Sequence, residues 1–433
     1  MRAWLIGFLF VMAFLRPCFV RADLAEYLRK PEPVFAWKLA EKIERDGDVI
    51  YNIQLVSQKW QNITWKHVLQ VFQPKGVRPA PVLLLRNQGG RPVPKNMALD
   101  LELARKVQAP CACLYGIPNQ PLLGGKTEDA LIAETFVRYL DSKDENWPLL
   151  FPMVKSLVKA MDALQAFARQ EWKTSLDGFI VTGASKRGWT TWLTGASDPR
   201  VKAIAPMVID TLNMRQQMDH QLETLGAYSD QIHDFTERGL VPVPKTPEGE
   251  RLWKMVDPYF YRDRLMMPKL LINGNNDPYW ATDALNLYWD GLKGDKWVLY
   301  VPNAGHNLEQ KGTDGKPDLS RAIHGLAAFA RHIIRTNPMP KLTWKHDDAD
   351  GKARLTVQSM PLAKSGRLWL AEAPTRDFRK ATWVSRSLES KDGSLAAVVD
   401  PPAKGFAAFY AELDYAIDDL PYHLSTTLRV IGK

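Results

Sequence analysis

Val181-Thr-Gly-Ala-Ser-Lys-Arg-Gly188 follows an apolar run and opens a helical pattern. Ser185 therefore stands at a strand-to-helix corner, with Gly183 two residues before it and Gly188 three after. The backbone must turn sharply there, and small flanking residues let the helix pack close to the strand. Such a nucleophile elbow holds the serine at the carboxyl edge of a sheet, with the amides of the helix N-terminus aimed at its reaction space. The usual spacing is Gly-x-Ser-x-Gly; here the second glycine comes one residue late. Serine is also a favoured helix N-cap, so the chemistry depends on which partners follow.

An acid and a histidine follow in order. Lys269-Leu-Leu-Ile-Asn-Gly-Asn-Asn-Asp277 is a short buried-type strand running into a polar loop that carries Asp277, and Lys296-Trp-Val-Leu-Tyr-Val-Pro-Asn-Ala-Gly-His306 ends the same way at His306. A serine hydroxyl is a weak nucleophile until an imidazole takes its proton, and a carboxylate fixes the imidazole tautomer and stabilises its cation. The order Ser185, Asp277, His306, each just past a strand, is that of the α/β-hydrolases. Asp210 also ends a strand and is the rival acid; the later strand is the usual location and favours Asp277. Of the other seven histidines none follows a strand in this way. The oxyanion hole should take the backbone N–H of Lys186 and a donor from the loop after Leu83–Arg86, where Asn87, Gln88 and Gly89 stand. Arg187 has two readings, binding a substrate carboxylate or pairing with a protein acid. Trp189, Trp192, Tyr279 and Trp280 cluster near the motifs and are candidates for an acceptor pocket or a sugar platform, although Trp189 and Trp192, three apart on the helix, read as core.

The rest of the chain supplies a matching frame. Tyr51–Trp60 and Thr64–Gln73 alternate in polarity around Gln61-Asn62, a β-hairpin signature. Strands over 81–86, 109–115, 178–182 and 201–208 alternate with helical patterns over 95–108 and across 128–172, the latter broken at Trp147-Pro148. This alternation predicts an α/β fold with a mostly parallel sheet covered on both faces. Between 210 and 264 the rhythm stops for helical pieces, a Pro-rich turn and many aromatics, which predicts a helical cap insertion over the serine. A helix over 320–336 closes an α/β-hydrolase domain spanning 23–338. From 341 to 433 seven short strands and no helical period predict a β-sandwich of immunoglobulin or fibronectin type.

Composition is that of a globular protein, 45% hydrophobic and 24% charged. Arg2, an apolar run from Ala3 to Leu15, and Val20-Arg-Ala22 read as a secretory signal peptide over 1–22, cut after Ala22. That places the mature protein outside the cytoplasm, secreted or periplasmic, with no integral membrane span after processing. Losing Arg2, Arg16 and Arg21 takes the formal charge from +9 to 54 − 48 = +6. The remaining basic residues are scattered, which gives nucleic-acid binding no support and leaves mild attraction to an anionic envelope surface. Cys111 and Cys113 lie on one face of a strand about 7 Å apart, too far for easy bridging, and read as buried free thiols. Neither they nor any other cluster forms a zinc pattern, and the chemistry outlined needs no metal or cofactor.

Gly183-Ala-Ser-Lys-Arg-Gly-Trp189, Ile272-Asn-Gly-Asn-Asn-Asp277, Pro302-Asn-Ala-Gly-His306 and Thr375-Arg-Asp-Phe-Arg379 resemble the PhoPQ-activated pathogenicity-related protein family over nearly the whole mature chain. The resemblance implies a secreted or envelope α/β-hydrolase-like protein of bacteria, tied by the family name to two-component regulation and virulence, without naming a substrate. A weaker resemblance links the elbow to glucuronoyl methylesterases, whose Gly-Cys-Ser-Arg-x-Gly has Ala184 and Lys186 in place of Cys and Arg; there the Lys186 side chain would help bind the oxyanion. Two function classes follow: a serine hydrolase acting on an ester or amide of a small-molecule, glycan or peptide substrate, and a catalytically silent binding protein on the same scaffold.

Overall fold

Uninterrupted apolar runs build the centre of the molecule, because a parallel strand covered on both faces has no solvent side. The computed structural model describes residues 23–391 and 393–433, so the segment 1–22, expected to be a signal peptide, lies outside the described residues. After a short helix α1 (Leu24–Arg29), strands β1 (Ala36–Arg45), β2 (Asp48–Trp60) and β3 (Ile63–Gln73) form an antiparallel edge. The β2–β3 turn is Gln61-Asn62, both at positive φ (47° and 62°), which matches the two-residue turn whose twist suits a hairpin.

The parallel part is β5 (Cys111–Leu114), β4 (Val82–Asn87), β6 (Gly178–Ala184), β7 (Val201–Met207), β8 (Lys269–Gly274) and β9 (Lys296–Val301), side by side in that order. From β4 the chain crosses through α2 (Pro94–Val107) to β5 on one side, then returns through α3 (Glu128–Ser142) and α4 (Leu150–Phe167) to β6 on the other. The order reverses at β4, and such a switch opens a crevice at the strands' carboxyl ends. Helix α5 (Lys186–Gly195), every residue of it buried, follows β6 directly. This is a mixed α/β fold with a mostly parallel central sheet.

The stretch after β7 holds α6 (Met214–Leu225), α7 (His233–Thr236) and α8 (Pro247–Val256), and it packs with α3 above the elbow. Its aromatic content is explained by that packing: Phe235 and Trp253 close on Phe136 and Trp189 below. After β9 come a small hairpin, β10 (Gln310–Lys311) and β11 (Pro317–Asp318), and helix α9 (Ser320–Ile334). Among the described residues no helix is long and apolar enough to cross a membrane.

Among the described residues the tail has nine strands, not the seven expected: β12 (Lys341–Ala349), β13 (Lys352–Met360), β14 (Ser365–Ala373), β15 (Val384–Ser387), β16 (Glu389–Lys391), β17 (Ser394–Val399), β18 (Phe406–Ile417), β19 (Leu420–Ser425) and β20 (Arg429–Gly432). They form two antiparallel sheets whose inner residues, among them Leu355, Val357, Leu368 and Phe409, share one buried cluster. One of the sheets does not stand apart: Ser425 of β19 pairs with Val298 of β9, so the central sheet continues into the tail. A half-buried β9 edge would otherwise expose unpaired backbone groups, and β19 covers it. Cys111 and Cys113 are buried free thiols whose burial pushes both well above their ordinary pKa.

Candidate active site

Ser185 adopts φ 57° and ψ −129°, a conformation costing a non-glycine residue about 1–3 kcal/mol and usually found where surrounding structure enforces it. The enforcement is visible. Ser185 N donates to Met207 O of β7 at 2.9 Å, and α5 begins at the next residue. Both glycines are required by close approach. A Cβ on Gly183 would stand 2.8 Å from Arg187 O, and one on Gly188 would stand 2.6 Å from Ile209 Cγ2 and 3.0 Å from the carbonyls of Gly183 and Met207. The late second glycine thus lets α5 lie against β6 and β7. Although Ser185 is the N-cap residue, it makes no side-chain cap bond, so its hydroxyl is not occupied in capping. Lys186, first residue of the helix, presents one of the N–H groups a helix start leaves without an internal partner.

Asp277 and His306 are brought together: Asp277 Oδ2 lies 2.8 Å from His306 Nδ1. Asp277 is itself buried and accepts from Tyr279 N through Oδ1 at 2.9 Å. With Nδ1 held by the carboxylate, the other ring nitrogen carries the lone pair, and His306 Nε2 is buried without a hydrogen-bond partner. It is therefore not hydrogen-bonded to Ser185. Tyr279 stacks on the imidazole with ring centroids 4.2 Å apart. Asp210, the rival acid, is engaged elsewhere by Asn273 Nδ2 (3.1 and 3.2 Å) and Tyr288 Oη. Burial, then repulsion from Asp277, raises its pKa to about 6 against those hydrogen bonds.

The residues offered for the oxyanion hole and substrate are placed differently from one another. Lys186 Nζ sits between Asp129 (3.0 Å) and Glu128 (3.1 Å). Arg187 spends both Nη1 and Nη2 on Glu128 (2.5 and 2.6 Å) and Nε on Ile117 O (2.7 Å), so its two-pronged face is already taken by a carboxylate; its second reading, an internal ion pair, is the one seen. Asn87 Nδ2 donates to Thr182 O (2.9 Å), Arg187 O (3.3 Å) and Thr191 Oγ1 (3.2 Å), bracing the elbow from below instead of facing the reaction space. Gln88 N donates to Leu114 O at 2.8 Å, which leaves only its side-chain amide for a ligand.

Three groups escaped the sequence reading. Glu128, at φ 52°, locks both cations after the serine; burial pushes its pKa up, but Arg187 and Lys186 outweigh this and bring it down to about 2. Asn276 Nδ2 donates to Ala381 O (2.8 Å), Phe378 O and Arg379 O (both 3.2 Å). Asn303 Nδ2 donates to Trp383 O, and Trp383 N returns a bond to Asn303 Oδ1, each 2.8 Å. The tail segment 376–383 is thus a strap across the loops that carry Asp277 and His306, and Arg376 adds a contact to Asp283 at 3.2 Å. The tail motif Thr375–Arg379 was the available signal, but contacts a hundred residues apart leave no local period to read.

The sequence pattern of the family described as PhoPQ-activated pathogenicity-related protein matches residues 24–379. Autocrine proliferation repressor protein A of Dictyostelium discoideum is 31% identical over 450 residues, covering 94% of this chain and 89% of that protein. Acetyl xylan esterase 1 from Thermoanaerobacterium sp. JW/SL YS485 is similar at 16% identity and a TM-score of 0.48, over 65% of this chain and 88% of its own. The glucuronoyl esterase from Solibacter usitatus is similar at 12% identity and a TM-score of 0.40, over 62% of this chain and 76% of its own.

Proposed function

The chain belongs to the PhoPQ-activated pathogenicity-related protein family, and from that premise and the geometry of the elbow we propose that it is a serine hydrolase of esterase type. One observation carries the reading: a strained, uncapped serine at the start of a buried helix, on the same sheet edge as an Asp277–His306 pair with a free Nε2. His306 takes the Ser185 proton as Oγ forms a bond to the ester carbonyl carbon. The resulting oxyanion accepts from the Lys186 N–H. Collapse expels the alcohol, which receives the proton from His306, and leaves an acyl group on Ser185. Water, deprotonated by His306, then attacks the acyl carbon; the acid leaves and the proton returns to Ser185. Asp277 stabilises the imidazolium at both stages without taking its proton. Arg187 and Glu128 position the elbow.

The tail is read as a β-sandwich that braces the catalytic loops through its strap. We further propose export to the periplasm or the exterior, on the strength of the Arg2, apolar 3–15 and Val20-Arg-Ala22 pattern. A second reading, a binding protein on this scaffold, is favoured by the missing Ser185–His306 hydrogen bond, although such bonds often tighten only around substrate. A fluorophosphonate probe separates the two. Labelling of wild type that is lost in Ser185→Ala is expected; no labelling, or equal labelling of both, contradicts the hydrolase.

A further inference from the structure

We infer that this chain is built for esters carrying a compact apolar group next to the scissile bond, and that this group enters an apolar crevice under the helical cap. The inference rests on the serine-hydrolase reading and narrows its substrate class. The crevice has room for the centre of a water-sized sphere over about 40 Å³, within about 480 Å³ of empty space that includes the solvent at its mouth. Its floor is Trp189 of α5 and Ile209 beyond β7, and its roof is Met218 of α6, Phe235 of α7 and Trp253 of α8.

The wall is carbon almost throughout, for a specific reason. Trp189 Nε1 donates to Val256 O at 2.6 Å and Trp253 Nε1 to Leu240 O at 3.2 Å, so both indoles send their N–H groups to backbone carbonyls. The two rings stack with centroids 6.2 Å apart and planes 11° from parallel. Their hydrogen-bonding edges are therefore used up, and the crevice offers them as packing surface.

The mouth ties the crevice to the chemistry. Lys186, which also lines it, is the residue after Ser185, and Tyr279, on the other side, stacks on His306. The Lys186 ammonium is matched by Asp129 and Glu128, so it does not turn the mouth into an anion site. Two polar atoms of lining residues, Thr211 Oγ1 and Trp280 Nε1, lack partners but are buried behind the carbon surface; sugar hydroxyls drawn in would lose water for at most those two, whereas methylenes and aryl carbons gain by leaving water. The occupant is thus an alkyl or aryl group on either the acyl or the alcohol side of the ester.

Two series of esters on the mature chain test this: p-nitrophenyl acetate, butyrate, hexanoate and octanoate, and acetates of methanol, butanol and hexanol. In one of the two, kcat/KM should rise by about fourfold per methylene while the crevice fills, which makes hexanoate better than acetate on the order of 100-fold. Ile232→Trp, which fills the crevice, should cut that ratio by about tenfold or more; Met218→Phe serves if the first variant does not fold. Ser185-dependent turnover that is flat or falling in both series, or that prefers acetylated xylo-oligosaccharides, overturns the inference alone. Absence of fluorophosphonate labelling at Ser185 overturns the hydrolase reading, and the inference with it.

Discussion

Asn303→Gly isolates the strap. Asn303 sits at φ 55°, a left-handed conformation that glycine accepts without strain, so the substitution removes the side chain and leaves the turn. What is lost is the reciprocal pair with Trp383, two hydrogen bonds of 2.8 Å each. At about 1 kcal/mol net apiece the loss is about 2 kcal/mol. Were all of it expressed in the placement of the loop ending at His306, catalysis would fall about 30-fold. Asn276 still holds the neighbouring acid loop through three carbonyls, so the expected fall in kcat is roughly 10- to 30-fold, with little change in KM. The assay is steady-state hydrolysis of a p-nitrophenyl ester, beside a urea unfolding midpoint on the same sample. A variant that loses about 2 kcal/mol of stability yet keeps kcat within about twofold of wild type would refute the reasoning. The strap would then brace the fold and not the site.

Three further outcomes are expected. Gly188→Ala puts a Cβ 3.0 Å from two carbonyls and 2.6 Å from Ile209; about 1–3 kcal/mol of stability should be lost, seen in the urea midpoint, with a disproportionate fall in Ser185 labelling rate. Glu128→Gln leaves Lys186 and Arg187 with one fewer countercharge and should lower kcat by about tenfold or more in ester hydrolysis, while Arg187→Lys, which cannot reproduce the two-pronged contact, should do the same. Asp257 supplies a pH test. Burial raises its pKa from 3.8 to about 7 despite N–H bonds from Met214, Tyr259 and Asn213. Because the folded state holds a proton that the unfolded chain releases above 3.8, this group's contribution to stability is fully present below that value and falls as pH rises toward about 7. Melting temperatures of wild type from pH 4 to 7 should carry that downward component, and Asp257→Asn should remove it.

What was legible in the sequence was what period and order encode. The stretches Leu83–Leu85 and Leu270–Ile272 are buried throughout, so a short apolar run marks each strand. The elbow, Asp277 and His306 each follow such a run, which is why three loops could be assigned to one sheet edge. The aromatic stretch after Asp210 was expected as a cap over the serine; its Met218, Phe235 and Trp253 line the crevice. What escaped was decided by pairings across the chain. Asn87 looked like a loop donor because it follows a strand, but its amide is drawn inward by the carbonyls of Thr182 and Arg187. Arg187 reads the same in sequence whether it meets a substrate or Glu128. The run over 425–431 read as one strand; it is divided into β19, which joins β9, and β20, which pairs with β18. No local periodicity reports that division, because partner choice made it.

The proposed hydrolysis requires a covalent intermediate at one atom, Ser185 Oγ. The direct measurement is acid-quenched mass spectrometry of the purified protein during turnover of p-nitrophenyl hexanoate, followed by peptide mapping. The prediction is a hexanoyl adduct on the peptide containing Ser185, accumulating in Asn303→Gly no faster than in wild type and absent from Ser185→Ala. An adduct on another residue, or turnover with no adduct and unimpaired by Ser185→Ala, would contradict it.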